Sequence, residues 1–154
     1  MKKVLIALDY SPTAQKVAET GYLLAKSMNA EVTLLHVVTE RLYYSATVTS
    51  PMMGFDNYML TDLLQSDEAT KKAAQQFLEK SKKHLRDEAI QTLIVEGNVA
   101  DSILEVAKNK HIDIIVMGSH SQRWLEKILM GSVTEKVLHH NAYPLFIIPT
   151  KKLD

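Results

Sequence analysis

Val4-Leu5-Ile6-Ala7-Leu8 opens the chain with an unbroken apolar run, and Ser11-Pro12 follows with the chemistry that starts helices. A strand leading into a helix is predicted. Ala14, Val17, Ala18, Gly21, Leu24, Ala25 and Met28 then recur at spacings of three and four, the apolar stripe of a helix packed on a sheet, and Asn29 ends it. Glu31 to Val38 and Gln91 to Glu96 read as the second and third strands, rich in Val, Leu and Ile. Between them, Arg41 to Leu64 has no clear period and contains Pro51, Gly54 and three methionines. A long polar helix is predicted from about Ser66 to Arg86, with Ala73, Phe77, Leu78 and Leu85 turned inward.

The second half repeats the alternation. Gly97-Asn98 punctuates the chain, Asn98 can cap a helix, and Ile103, Val106 and Ala107 supply that helix with a buried face. Ile112 to Met117 is the fourth predicted strand, Ser132 to His140 a helix and Tyr143 to Ile148 the fifth strand, followed by Pro149 and a charged tail. Near-continuous apolar strands alternating with helices imply an α/β fold, a parallel sheet covered on both faces. The stretch from Arg41 to Leu64 exceeds the usual connection length, and such segments are often functional. Its Tyr43, Tyr44, Met52, Met53, Phe55, Tyr58 and Met59 suit a mobile cover or a partner surface, the alternative being a short irregular helix packed on the domain.

Composition narrows the function classes. At 154 residues with 46% apolar content the chain matches one domain, with the insertion at about 41–64 inside it. Eighteen basic residues balance eighteen acidic ones, so no overall field draws the protein to nucleic acid or to an anionic membrane. Any anion must be held locally. The absence of cysteine removes disulfides, thiolate metal ligands and a Cys nucleophile, and fits a cytoplasmic protein. Met1-Lys2-Lys3 resembles the start of a signal peptide, but Asp9 interrupts the short apolar run behind it. No stretch has the length of a transmembrane helix.

Candidate chemistry sits at the predicted strand ends, where open α/β sheets bind ligands. Asp9 follows the first strand, Gly118-Ser119-His120-Ser121 the fourth, and Gly131-Ser132-Val133 opens the next helix. A glycine after a strand lets a backbone approach a ligand, and free N–H groups at a helix start bind phosphate oxygens. The same residues also serve as ordinary turn and cap chemistry. Asp9 likewise reads either as an Asx-type turn or as a ligand contact. Its charge repels phosphate, so a ligand role belongs at an adenine or ribose, or at a bound Mg²⁺. His139-His140 lack the H-E-x-x-H pattern of a zinc helix, and neither a nucleophile elbow nor a Walker A loop is present. A receiver domain would need an acidic pair where Asp9 stands alone.

Ile114-Ile115-Val116-Met117-Gly118-Ser119-His120, the nine residues between Ser121 and Gly131, and Gly131-Ser132-Val133-Thr134-Glu135-Lys136-Val137-Leu138 together resemble the G-x2-G-x9-G-[ST] signature of universal stress proteins. Val4 to Ser11 is similar to that family's first strand with its acidic residue, and His36-Val37-Val38 to the end of its second. The resemblance covers almost the whole chain. It implies a Rossmann-like, open five-stranded parallel sheet of order 3-2-1-4-5 and a homodimer formed along the last strand. It also implies an adenine-nucleotide site, ATP above all, at Ala7, Asp9 and Val38 on one side and Met117, Gly118, His120 and Ser121 on the other. Gly131, Ser132 and Val133 complete that site.

One position departs from the signature: Ser121 stands where the ATP-binding branch has its second glycine. If a positive φ is needed there, serine costs about 1 kcal/mol or more. If only its N–H is needed, serine serves as well. Val38 would offer backbone groups to adenine, and Met117 reads as core or as a ligand wall. His120 and Arg123 can bring charge to phosphates, Lys127 reads as a solvated face, and Trp124 as an anchor. Three functional readings follow: a nucleotide-binding regulatory module of the stress response, a nucleotide-free homodimer acting by protein contacts, and a slow ATP hydrolase in the same pocket. No residue is placed as an obvious general base, which favours binding over catalysis. No protein partner is identified.

Overall fold

The computed structural model describes residues 1–39, 57–119, 132–140 and 142–150, without the side chains of 57–67 and 132. Among the described residues the elements follow in this order: β1 (Lys3–Ala7), α1 (Ala14–Ser27), β2 (Glu31–Val38), α2 (Asn57–Leu85), β3 (Gln91–Glu96), α3 (Val99–Asn109), β4 (Ile114–Gly118), α4 (Ser132–His139) and β5 (Leu145–Ile148). All strand pairs are parallel and the sheet order is β3-β2-β1-β4-β5. The chain winds outward from β1 through β2 to β3, then returns beside β1 and winds the other way. The reversal lies between β1 and β4, the place where such sheets open a ligand crevice at the strand ends.

Strand alternation divides the core in two. Val4, Ile6, Leu34 and Val116 meet Val17, Ala18 and Ala25 of α1 and Leu78 of α2 on one face. Leu5, Leu35, Val37, Ile115 and Met117 meet Ile103 and Ala107 of α3 and Val137 of α4 on the other. Both faces are covered, which is why these strands read as continuous apolar runs. Gly21 permits the close seating of α1: a Cβ there would lie 2.9 Å from Val116 Cγ1 and 3.0 Å from Ile6 Cδ1.

Several boundaries differ from the sequence pattern. The helix predicted from Ser66 begins at Asn57, so the end of the supposed irregular stretch is helical. The rest of that stretch, with the cover or docking role suggested for it, lies outside the described residues. Helix α1 starts at Ala14 and not at Ser11-Pro12, because Asp9 and Ser11 first form a turn: the Ser11 N–H donates to Asp9 Oδ1 at 3.0 Å. Asn98 does cap α3, its Oδ1 accepting from the Asp101 N–H at 3.1 Å. Asn29, Arg86 and His111 end their helices at φ of 52°, 55° and 55°. Each takes the left-handed conformation that glycine adopts most easily. Among the described residues, no helix is long and apolar enough to cross a membrane.

Candidate functional site

The strand ends at the reversal of winding are formed by the last residues of β1, β2 and β4. Ala7 ends β1, and Leu8 extends the ladder by one bond, its N–H donating to the Leu35 carbonyl at 2.8 Å. The chain then turns away through Asp9. One Asp9 oxygen holds the turn with Ser11, while Oδ2 is buried and has no hydrogen-bond partner among the described residues. A buried polar atom without a partner costs about 1–3 kcal/mol. Asp9 therefore makes the Asx turn that its position suggested, with one oxygen to spare.

Behind it, His36 Nδ1 lies 2.8 Å from the Leu8 carbonyl. A carbonyl only accepts, so Nδ1 carries the proton. His36 is buried, and burial lowers its pKa against the raising pull of the Leu8 bond and of the Asp9 charge. Its ring packs on Tyr10, with centroids 4.4 Å apart, and both rings meet Phe77 of α2 edge-on. Tyr10 is itself largely exposed, and partial desolvation raises its phenol pKa.

Ladder parity decides which backbone groups of β2 face the crevice. The Val38 carbonyl accepts from the Gly97 N–H at 3.0 Å, so the Val38 peptide groups point toward β3. Leu35 points toward β1, as its bond with Leu8 shows. By alternation Val37 points the same way, past Ala7, where β1 has no further strand residue. Sequence reasoning named Val38 and passed over Val37, because parity depends on register.

On the β4 side, Met117 is buried among the residues packed under α3 and α4, so its side chain is core. The Gly118 carbonyl accepts from Thr134 Oγ1 at 2.8 Å, and the Ser119 N–H donates to the Ile148 carbonyl at 2.9 Å. Ser119 Oγ in turn accepts from the Thr150 N–H at 3.1 Å. Ser132 is the first residue of α4, and half-buried Val133 packs toward the core. The fold thus brings Ala7, Asp9 and Gly118 to the same end of adjacent strands, with α4 tied to that end through Thr134. His120, Ser121, Arg123, Trp124, Lys127 and Gly131 lie outside the described residues. Thr134 is a second residue that sequence reasoning missed, since a threonine inside a helical pattern looks neutral.

Among the described residues no three His, Asp or Glu side chains gather as a metal cluster. Asp9 Oδ2 suits a polar ligand with hydroxyl or amine donors. A groove of about 570 Å³ also runs between α2 and β3, lined by Val38, Lys71, Lys72, Gln75 and the end of β3. It lies at the outer edge of the sheet, away from the reversal of winding.

Comparisons with known proteins agree with this fold. The sequence model of the universal stress protein family matches residues 1–149. The chain is 33% identical to the universal stress protein MJ0577 of Methanocaldococcus jannaschii, over 97% of this chain and 96% of that protein. It is 29% identical to the universal stress protein YxiE of Bacillus subtilis, over 95% and 97%. The solved structure of MJ0577 superposes with a TM-score of 0.78 at 29% identity, covering 99% of this chain and 98% of that one. A universal stress protein solved in complex with cAMP shares the fold at a TM-score of 0.62 and 17% identity, over 97% and 98%.

Proposed function

The chain belongs to the universal stress protein family, and from that premise we propose that it is a cytoplasmic regulatory module of the stress response that binds ATP or another adenine nucleotide in the β1/β4 crevice. The observation that carries this reading is Asp9 Oδ2, a buried acceptor without a partner among the described residues at the point where the winding reverses. Its charge repels phosphate and favours donors, so it faces a ribose hydroxyl or the adenine amine, or Mg²⁺ if the nucleotide carries it. Val37, whose peptide groups point toward β1, would read the base edge, with Val38 beside it contributing its place at the strand end and not its carbonyl, which is bonded to Gly97. Gly118 allows close approach, and Gly131 with Ser132 at the start of α4 offers N–H groups to phosphates. Ala7, Met117, His120, Ser121 and Val133 complete the proposed site. Phe146, exposed on edge strand β5, supports a homodimer formed along that strand.

Binding needs nothing further from the chain, whereas turnover would need a base. Titration calorimetry tests the reading: ATP binds with a Kd in the micromolar range, around −8 kcal/mol. Heat denaturation of freshly purified protein releases the same nucleotide. Flat traces for ATP, ADP and AMP would replace this reading with that of a nucleotide-free dimer.

A further inference from the structure

The Thr134 hydroxyl makes a bond that its own helix does not require. Threonine inside a helix ordinarily satisfies its hydroxyl on the carbonyl one turn back, and a buried hydroxyl needs a partner somewhere. Thr134 is fully buried, and its Oγ1 donates at 2.8 Å to Gly118, a residue of another element. The Gly118–Ser119 peptide is then held from both sides. Its carbonyl is fixed by α4, and its N–H by the Ile148 carbonyl of β5 at 2.9 Å. A planar peptide bonded at both ends cannot rotate without breaking one of the bonds. Val137, on the same side of α4 one turn later, is fully buried among residues that include Met117. Packing alone therefore holds the body of α4 against the sheet, and the hydroxyl sets where its first turn stands relative to Gly118.

We infer that Thr134 is a positioning residue: its hydroxyl fixes the distance between the end of β4 and the start of α4, and with it the affinity for the phosphate part of a bound nucleotide. This rests on the nucleotide reading above. The base and ribose are addressed from β1 and β2, so their recognition does not depend on Thr134. The phosphates are addressed from Gly118 and from the first turn of α4, the two points that the hydroxyl joins.

Calorimetric titration of wild type, Thr134→Val and Thr134→Ser with ATP and with adenosine tests the inference. Valine keeps the shape and removes the donor, whereas serine keeps the donor. Thr134→Val should weaken ATP about tenfold and leave adenosine within twofold, and Thr134→Ser should stay within about threefold of wild type for ATP. Amide exchange at Ser119 should quicken in Thr134→Val while that at Val4 to Ile6 stays unchanged. If valine prevents folding, Thr134→Ala against Thr134→Ser gives the same contrast. Equal losses for ATP and adenosine, tracking a fall in Tm, would make Thr134 a plain core residue and overturn the inference. So would unchanged ATP affinity in Thr134→Val. If wild type binds neither ligand, the nucleotide reading falls and takes this inference with it.

Discussion

The two ends of the sheet each carry an aspartate beside β1, and the two are treated in opposite ways. At the end where the strands begin, both Asp113 oxygens are engaged: Oδ2 accepts from the Lys3 N–H at 2.8 Å and Oδ1 from Lys2 Nζ at 3.3 Å. Those bonds, the Lys3 N–H first, hold its carboxyl below the ordinary value. At the end where the strands finish, Asp9 spends one oxygen on its own turn and leaves the other buried without a partner among the described residues. The first end is closed by bonds that serve stability. The second carries a local deficit, and consistent folds tend to keep such deficits for sites of function.

Both ends lose stability as pH falls, and the pH window separates them. Asp113 has a lowered folded pKa, so its contribution is present above the ordinary value of 3.8 and is lost as pH falls through the lowered one. His36 is a base whose folded pKa is lowered below 6.5 by burial. The unfolded chain takes up a proton that the folded chain refuses, so stability is full above pH 6.5 and falls as pH drops toward the folded value. Denaturant midpoints should therefore decline as pH falls from about 6.5 to 5.5, with a slope from this residue of at most about 1.4 kcal/mol per pH unit. His36→Gln should flatten that decline. An equal slope in wild type and variant would show that the buried end is not the pH-sensitive one.

A smaller effect is expected where the helices stop, at the closed end. His111 sits at φ 55° after α3, and glycine accepts that conformation without the steric cost. His111→Gly should raise the unfolding free energy by about 0.5–1 kcal/mol, the gain in the folded state being offset in part by greater freedom of the unfolded chain. Nucleotide affinity should not change. Chemical denaturation together with calorimetry checks both halves, and a change in affinity would mean that the two ends are coupled.

The closed end and the sheet itself were legible in the residues, because strands buried on both faces must be continuously apolar: Val4 to Leu8 and Glu31 to Val38 could hardly be read otherwise. The sheet order came from the family resemblance and not from periodicity. Helix α2 hid its first turns, since Asn57 to Leu64 follows Pro51 and Gly54 and its mixture of Tyr58, Met59 and Leu60 has no plain stripe. At the crevice, Asp9 and Gly118 stood out by residue type. Val37 and Thr134 did not, because one depends on ladder parity and the other on a bond between residues of different elements. Neither relation leaves a mark on local composition.

The central claim is that the spare oxygen of Asp9 is there for a nucleotide. Asp9→Asn isolates it, since asparagine keeps an acceptor for the Ser11 N–H and replaces the other oxygen with a donor; Asp113→Asn serves as the control at the opposite end. Calorimetric titration with ATP should give a micromolar Kd for wild type and Asp113→Asn and an affinity at least about tenfold weaker for Asp9→Asn. Equal ATP affinity in wild type and Asp9→Asn, or no binding by wild type at all, would contradict the account.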